Sequence, residues 1–84
     1  MTSKIYAIYD HATEAFGQPF FTKSQGQAIR SFRDECENKE SQFNKHAKDF
    51  DLFYLGEYNE DIGQITQTSP ERVARASDFV ITGE

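Results

Sequence analysis

The chain has one cysteine, Cys36, among its 84 residues, so an intrachain disulfide is impossible. A domain this short buries only about 60–65% of the surface that its unfolded chain exposes, which leaves a thin margin of stability. Eight phenylalanines and four tyrosines supply large rings for a small core. We therefore expect a single domain over residues 1–84, held by an aromatic core or reinforced by a second subunit in a homodimer or higher oligomer.

Two short segments in the first quarter of the chain favour β-structure. Ile5–Tyr9 is a short run of aliphatic and aromatic residues, which predicts a first strand. Asp10–Gly17 is more polar, and we interpret it as a loop. Phe20–Thr22 follows Pro19 and is expected to be a short second strand or an extended arm, since a proline at the start of a strand is typical of a sheet edge.

The clearest helix signal begins at Ser24. Ser24 and Gln27 have the spacing of a capping box, in which each side chain satisfies a backbone N–H at the helix start. We expect the helix to end near Asn38. Apolar residues recur at helical spacing and predict one buried stripe: Ala28, Ile29, Phe32 and Cys36. Ion pairs at i, i+4 are expected between Arg30 and Asp34 and between Arg33 and Glu37.

The second half of the chain predicts a hairpin followed by another helix. Glu40–Asp49 is expected to be a loop with a helical turn from Ser41. Leu52–Leu55 predicts a strand with a bulge at Gly56, and the turn 59–63 leads to a return strand, Gln64–Gln67. Ser69, Pro70 and Glu71 resemble a helix start, and the buried face of that helix would comprise Val73, Ala76, Phe79 and Val80.

Together these elements predict an α+β fold. Its core would be a small three- to four-stranded antiparallel sheet, with one main helix and a short C-terminal helix packed on it. Fourteen acidic and nine basic residues give a net charge of −5, which disfavours strong non-specific binding of nucleic acid. No apolar run is long enough to cross a bilayer, and residues 1–4 have no signal-peptide pattern, so we expect an unprocessed cytoplasmic protein without a membrane partner.

Nothing in the sequence has the pattern of a catalytic or metal site, and we expect neither enzymatic activity nor a cofactor. His11 and His46 lack neighbours at metal-ligand spacing. Cys36 lies on the apolar stripe among acids, which disfavours a nucleophile. Carboxylate pairs such as Asp49 and Asp51 are interpreted as solvated surface.

Basic and aromatic residues occur close together between residues 20 and 50. Cations that follow phosphates and rings that stack on bases are the combination that binds single-stranded nucleic acid. Acidic residues share this stretch, so a positive face depends on how the chain folds. The candidate binding residues are Lys23, Arg30, Arg33, Lys45, His46 and Lys48.

The order of several motifs resembles the small nonstructural protein of gokushoviruses, the single-stranded DNA phages of the microvirus group. The resemblance rests on residues 5–10, 19–21 and 26–32, and continues through Ser41–Phe43, Lys45–His46 and later glycines, over residues 4–79. It departs at Ala47, where the family pattern has proline, so the loop is expected to be less rigid here than in the family.

The resemblance implies binding of single-stranded DNA during viral genome synthesis or packaging, in the cytoplasm of an infected bacterium. The alternative is a regulatory protein that contacts phage replication or capsid proteins without binding DNA. Salt dependence separates the two functions, because binding to phosphates weakens steeply as salt is added.

Overall fold

One antiparallel sheet and the helices on one of its faces account for residues 1–80, the part of the chain that the computed structural model describes. The α+β class expected from the sequence is confirmed. In chain order the elements are β1 (Thr2–Asp10), β2 (Ala15–Phe16), β3 (Phe20–Thr22), α1 (Gln25–Glu37), α2 (Gln42–Lys45), a 3₁₀ turn (Ala47–Asp49), β4 (Phe50–Asn59), β5 (Gln64–Arg75) and a second 3₁₀ turn (Ala76–Phe79).

The sheet is built around β1 and β4, which pair antiparallel along nearly their whole length. β5 pairs with the outer edge of β4. The two short strands, β2 and β3, both pair with the other edge of β1, so the strand order is β2-β1-β4-β5, with β3 next to β2 along the same edge. β2 lies within the segment that the sequence predicted to be a loop. Short edge strands occur where the apolar signal is too brief to be recognised locally.

α1 begins as predicted. Ser24 Oγ accepts a hydrogen bond from the backbone N–H of Gln27 at 3.1 Å, and Gln27 Oε1 accepts one from the N–H of Lys23 at 3.1 Å. In the standard capping box, the side chain of Gln27 would accept from the N–H of the cap residue, Ser24. Here it accepts from Lys23, the residue before the cap. Ala28, Phe32 and Cys36 are buried against the sheet, which confirms the predicted stripe.

The main core lies between α1 and one face of the sheet. Tyr6 and Leu52, from the two central strands, are fully buried there. The remaining buried members of this core come from the helices, the 3₁₀ turns and the start of β4: Ala28, Phe32, Cys36, Ala47, Phe50 and Ala76.

The predicted C-terminal helix start is wrong. Ser69, Pro70 and Glu71 lie inside β5, and the only helical element after them in residues 1–80 is the 3₁₀ turn Ala76–Phe79. Long-range pairing overrides the local cap signal, because β4 extends from Phe50 to Asn59 and offers partners as far as Arg75. Pro70 is tolerated because β5 is an edge strand.

Gly56 marks the predicted bulge. The β1–β4 register shifts between Ile5 and Tyr6, and Gly56 has φ of 151°. A Cβ at this position would lie 2.2 Å from the carbonyl oxygen of Thr66, so only glycine lets β5 approach so closely. The predicted turn is also present, with Gly63 at φ of 67°.

Candidate functional site

The basic residues predicted from the sequence are all exposed, but they lie in separate places. Lys23 precedes α1, whereas Arg30 and Arg33 lie on its outer side. α1 has 13 residues, and a helix of that length extends about 20 Å. Asn44 Nδ2 donates a hydrogen bond to the carbonyl oxygen of Cys36 at 2.8 Å, so α2 meets the far end of α1. The structure therefore separates Lys23 from Lys45.

Acidic side chains share the outer side of α1. Asp34 lies one turn after Arg30, and Glu37 one turn after Arg33, so both acids lie beside the arginines on one helix face. The expected ion pairs are not formed: within residues 1–80, the ion pairs of the protein involve neither arginine. The acids nevertheless reduce the positive potential of this face.

Three predicted residues do come together. Lys45, His46 and Lys48 line a shallow cavity of about 470 Å³ between α2 and the first 3₁₀ turn. Asp49 lies on the same wall, and Ser77 and Val80 close the other side. This cavity has cations but no Phe or Tyr among its lining residues, so the imidazole of His46 is the one ring there on which a base could stack.

The opposite side of the sheet has a different character. We define the helix-free face as the side of the sheet that faces away from α1. Ile5 and Ala7 point to this side and are buried, although neither belongs to the main core. They are covered by aromatic side chains from four strands: Tyr9, Phe16, Phe21, Phe53 and Tyr58.

One aromatic cluster lies where β1, β2 and β4 meet. The ring of Tyr9 lies 4.8 Å from that of Phe16 and 6.0 Å from that of Phe53, measured between ring centroids. Phe16 and Phe53 are 5.4 Å apart. Phe16 remains 43% exposed, and the His11 ring lies 4.8 Å from Tyr9. Large rings that stay accessible on a sheet offer flat surfaces for stacking.

A second pair of rings lies further along the same face. Phe21 and Tyr58 have their centroids 5.8 Å apart, and Phe21 is 51% exposed. Phe21 also borders an apolar groove of about 270 Å³. The other residues that line the groove are Ile5, Pro19, Leu55, Ile65, Gln67, Thr68 and Pro70.

The charges on the helix-free face differ from those of the whole molecule. Within residues 1–80, the strand register places three charged side chains on this face: Asp51, Arg72 and Arg75. Asp51 is only 5% exposed, so the expectation that it is solvated surface is wrong. Its Oδ2 lies 2.8 Å from His11 Nε2 and 3.6 Å from Arg72 Nη1. Two arginines and one buried carboxylate make this end of the face locally positive, while the chain carries a net charge of −5. At the other end of the face, Glu60 Oε2 accepts a hydrogen bond from Ser3 Oγ at 3.3 Å.

Sequence reasoning missed this face for two reasons. The sequence patterns placed Arg72 and Arg75 in a C-terminal helix and Phe16 in a loop. None of the three was therefore expected on the sheet. One signal was present: both alternating sets of residues in Ile5–Tyr9 are apolar or aromatic. Such a strand is covered on both sides or presents apolar surface to a partner.

The other groups with possible reactivity are the Cys36 thiol and the potential metal ligands. Burial, followed by the charges of Glu35 and Glu37, raises the pKa of the Cys36 thiol to about 12, which opposes thiolate formation. Across residues 1–80, no three His, Cys, Asp or Glu side chains converge as metal ligands would. The helices of this part are also too short or too polar to span a membrane.

Comparison with known proteins matches one family. No curated protein and no solved structure matches the chain. The family described as phage ORF5 protein matches residues 3–79, which include every strand of the sheet apart from the first residue of β1. This confirms the expectation of a small phage protein, and the chain belongs to the phage ORF5 protein family.

Proposed function

We propose that this phage protein binds single-stranded DNA through the helix-free face of its sheet. The observation that carries the proposal is the set of five aromatic rings on that face, beside two arginines. Bases stack on accessible rings whatever their sequence, while arginines contact the phosphates. An open sheet whose aromatic side chains stack on bases is an established way to bind a single strand.

The two ring clusters favour a strand that lies along β1. The first cluster contains Tyr9, and the second pair of rings lies beside Ile5, four residues away on β1. Because four residues of a strand extend about 13 Å, the two sets of rings are about that far apart. This spacing accommodates consecutive unstacked bases of a flexible single strand. A duplex keeps its bases stacked inside the helix and cannot use such rings without being opened.

The negative charge on the rest of the molecule favours DNA binding at the helix-free face. A net charge of −5 repels phosphates from most of the surface, whereas Arg72 and Arg75 attract them locally. Few phosphate contacts are available, so stacking supplies much of the affinity, and the dependence on salt is shallower than for a strongly basic protein.

The resemblance to gokushovirus proteins supports a more specific role. We propose that the protein acts on the single-stranded genome of such a phage, during its synthesis or packaging, in the cytoplasm of the infected bacterium. The cavity of Lys45, His46 and Lys48, and the arginines of α1, form a second candidate surface for the same strand.

Fluorescence anisotropy with a labelled oligothymidylate tests the proposal. Phe16→Ala should weaken binding by about 1–3 kcal/mol, the range found when a stacking ring is removed. Arg72→Gln with Arg75→Gln should reduce the salt slope by about 0.7 for each lost phosphate contact. Arg33→Ala with Lys45→Ala is the matched control, because it removes the same charge from the second candidate surface.

The outcomes separate the candidate surfaces and functions. Loss of binding in the sheet variants alone supports the helix-free face. Loss only in the Arg33 and Lys45 variant would assign binding to the helical surface instead. If the parent protein does not bind at low salt, the regulatory alternative, in which the protein contacts other phage proteins, is favoured.

A further inference from the structure

β5 leaves one long edge of the sheet open. It is the last strand in the order β2-β1-β4-β5, and no other strand of residues 1–80 pairs with its outer side. Every residue from Gln64 to Arg72 is exposed. The opposite edge of the sheet is divided between β2, with two residues, and β3, with three. β5 is thus the long edge that offers a continuous row of free N–H and C=O groups.

This edge lacks the charges that protect most edge strands. Residues 62–70 form the longest segment of the chain without Asp, Glu, Lys, Arg or His. Ile62 and Ile65 are 66% and 61% exposed, and Thr66 and Thr68 are β-branched residues that favour strands. Natural edge strands usually carry lysines or inward-pointing charges that prevent pairing with another chain. An uncharged, exposed and β-rich edge is therefore suited to pairing.

We propose that the β5 strands of two copies of this chain pair antiparallel within residues 64–69, about a two-fold axis that is perpendicular to the sheet and passes beside Thr66. A second copy fits this edge because an isologous interface needs a self-complementary surface, and one strand paired antiparallel with itself provides that. Two molecules that each carry a net charge of −5 repel one another, so they are expected to meet where neither carries charge. Pro70, which has no N–H to donate, limits the paired segment at one end.

The pairing has a consequence for the surface described above. An axis perpendicular to the sheet keeps both helix-free faces on the same side, so the two sheets become one continuous surface. Ile65 lies opposite Tyr58 on the helix-free face and would carry the apolar surface across the junction. The pairing does not depend on DNA binding, and it is tested without DNA.

Sedimentation velocity at high micromolar concentration measures the assembly directly. The parent should sediment with twice the 9.7 kDa mass of the chain. Thr66→Lys with Thr68→Lys should abolish the dimer, because like charges from two copies would face one another across the edge. The variant is less negative overall, so its dissociation cannot result from greater net repulsion. Ser31→Lys with Gln42→Lys, at exposed helical positions, makes the same charge change and should leave the dimer intact.

A second measurement covers the case in which the lysine variant is unfolded. Amides of residues 64–69 in the parent should exchange with deuterium more slowly at high than at low protein concentration, while amides of β1 should not change. A monomeric parent, a dimeric lysine variant that is folded, or exchange at residues 64–69 that is independent of concentration would each overturn the proposal.

Discussion

His11 Nε2 lies 2.8 Å from Oδ2 of Asp51, a carboxylate whose side chain is only 7% exposed. Because an ionised carboxylate can only accept, the histidine nitrogen donates. The bond ties the loop after β1 to the start of β4. The same oxygen lies 3.6 Å from Arg72 Nη1, so Asp51 links three elements at one end of the helix-free face.

Replacing Asp51 tests this link. Asp51→Ala should lower the free energy of unfolding by about 1–3 kcal/mol, because it removes the buried carboxylate that accepts the His11 hydrogen bond and lies beside Arg72. Asp51→Asn keeps an acceptor oxygen near His11 and should cost less. Urea unfolding of the two variants measures the difference. Equal stability of parent and Asp51→Ala would show that the bond contributes nothing to the fold.

Phe32 is the centre of the core between α1 and the sheet. It is 3% exposed, and its ring packs against Phe43 and Phe79. Phe32→Ala should therefore destabilise the protein by about 3–5 kcal/mol, enough to unfold much of a small domain. Phe21→Ala is the control, since Phe21 is 51% exposed and its removal should cost about 1 kcal/mol or less. Thermal melting followed by circular dichroism compares them, and similar losses in both would contradict the core assignment.

The sequence predicted those elements whose signals are local and agree with their tertiary surroundings. The cap at Ser24, the stripe through Phe32 and the bulge at Gly56 are examples. The segment 69–75 was predicted wrongly because a proline after a serine is a strong local helix signal, while its actual partner, β4, lies far away in sequence. Val73, Ala76, Phe79 and Val80 still pack on the core, since burial depends on their apolar character in either conformation.

The candidate site was less predictable than the fold. The sequence shows that aromatic and basic residues are abundant, but which of them share a face depends on strand register. Phe16 and Phe53 are distant in sequence and meet only because both adjoin β1 through Tyr9. Arg72 and Arg75 reach the helix-free face only because β5 continues past Pro70.

Gly56 should tolerate no side chain. At φ of 151°, with Thr66 O at 2.2 Å from an added Cβ, Gly56→Ala forces the β4–β5 pair apart and should be strongly destabilising. Gly26→Ala is a matched control, because Gly26 lies in α1 with no atom nearer than 4.0 Å to the added Cβ. That substitution should stabilise by about 0.4–1 kcal/mol. Chemical denaturation of both variants tests the contrast, which would be refuted if the two shifts had the same sign.

Cys36 should be unreactive in the folded protein. With its pKa raised from 9.0 to about 12 by burial and by Glu35 and Glu37, the thiol stays protonated at pH 8. A thiol reagent such as Ellman's should label it only after unfolding in urea. Because the folded pKa lies above the ordinary value, this group stabilises the fold below pH 9.0, and that contribution is lost as the pH rises toward 12. Rapid labelling of the native protein at pH 8 would contradict its burial.

Single-stranded DNA is proposed to lie on the helix-free face, and chemical-shift mapping tests this placement directly. Titration of the ¹⁵N-labelled protein with an oligothymidylate at low salt, followed by ¹H–¹⁵N NMR, maps the contact residue by residue. The largest shift changes should occur at Tyr9, Phe16 and Phe53, with smaller changes at Arg30 and Arg33 on α1. Shifts concentrated on α1, or no shifts at all, would contradict the account.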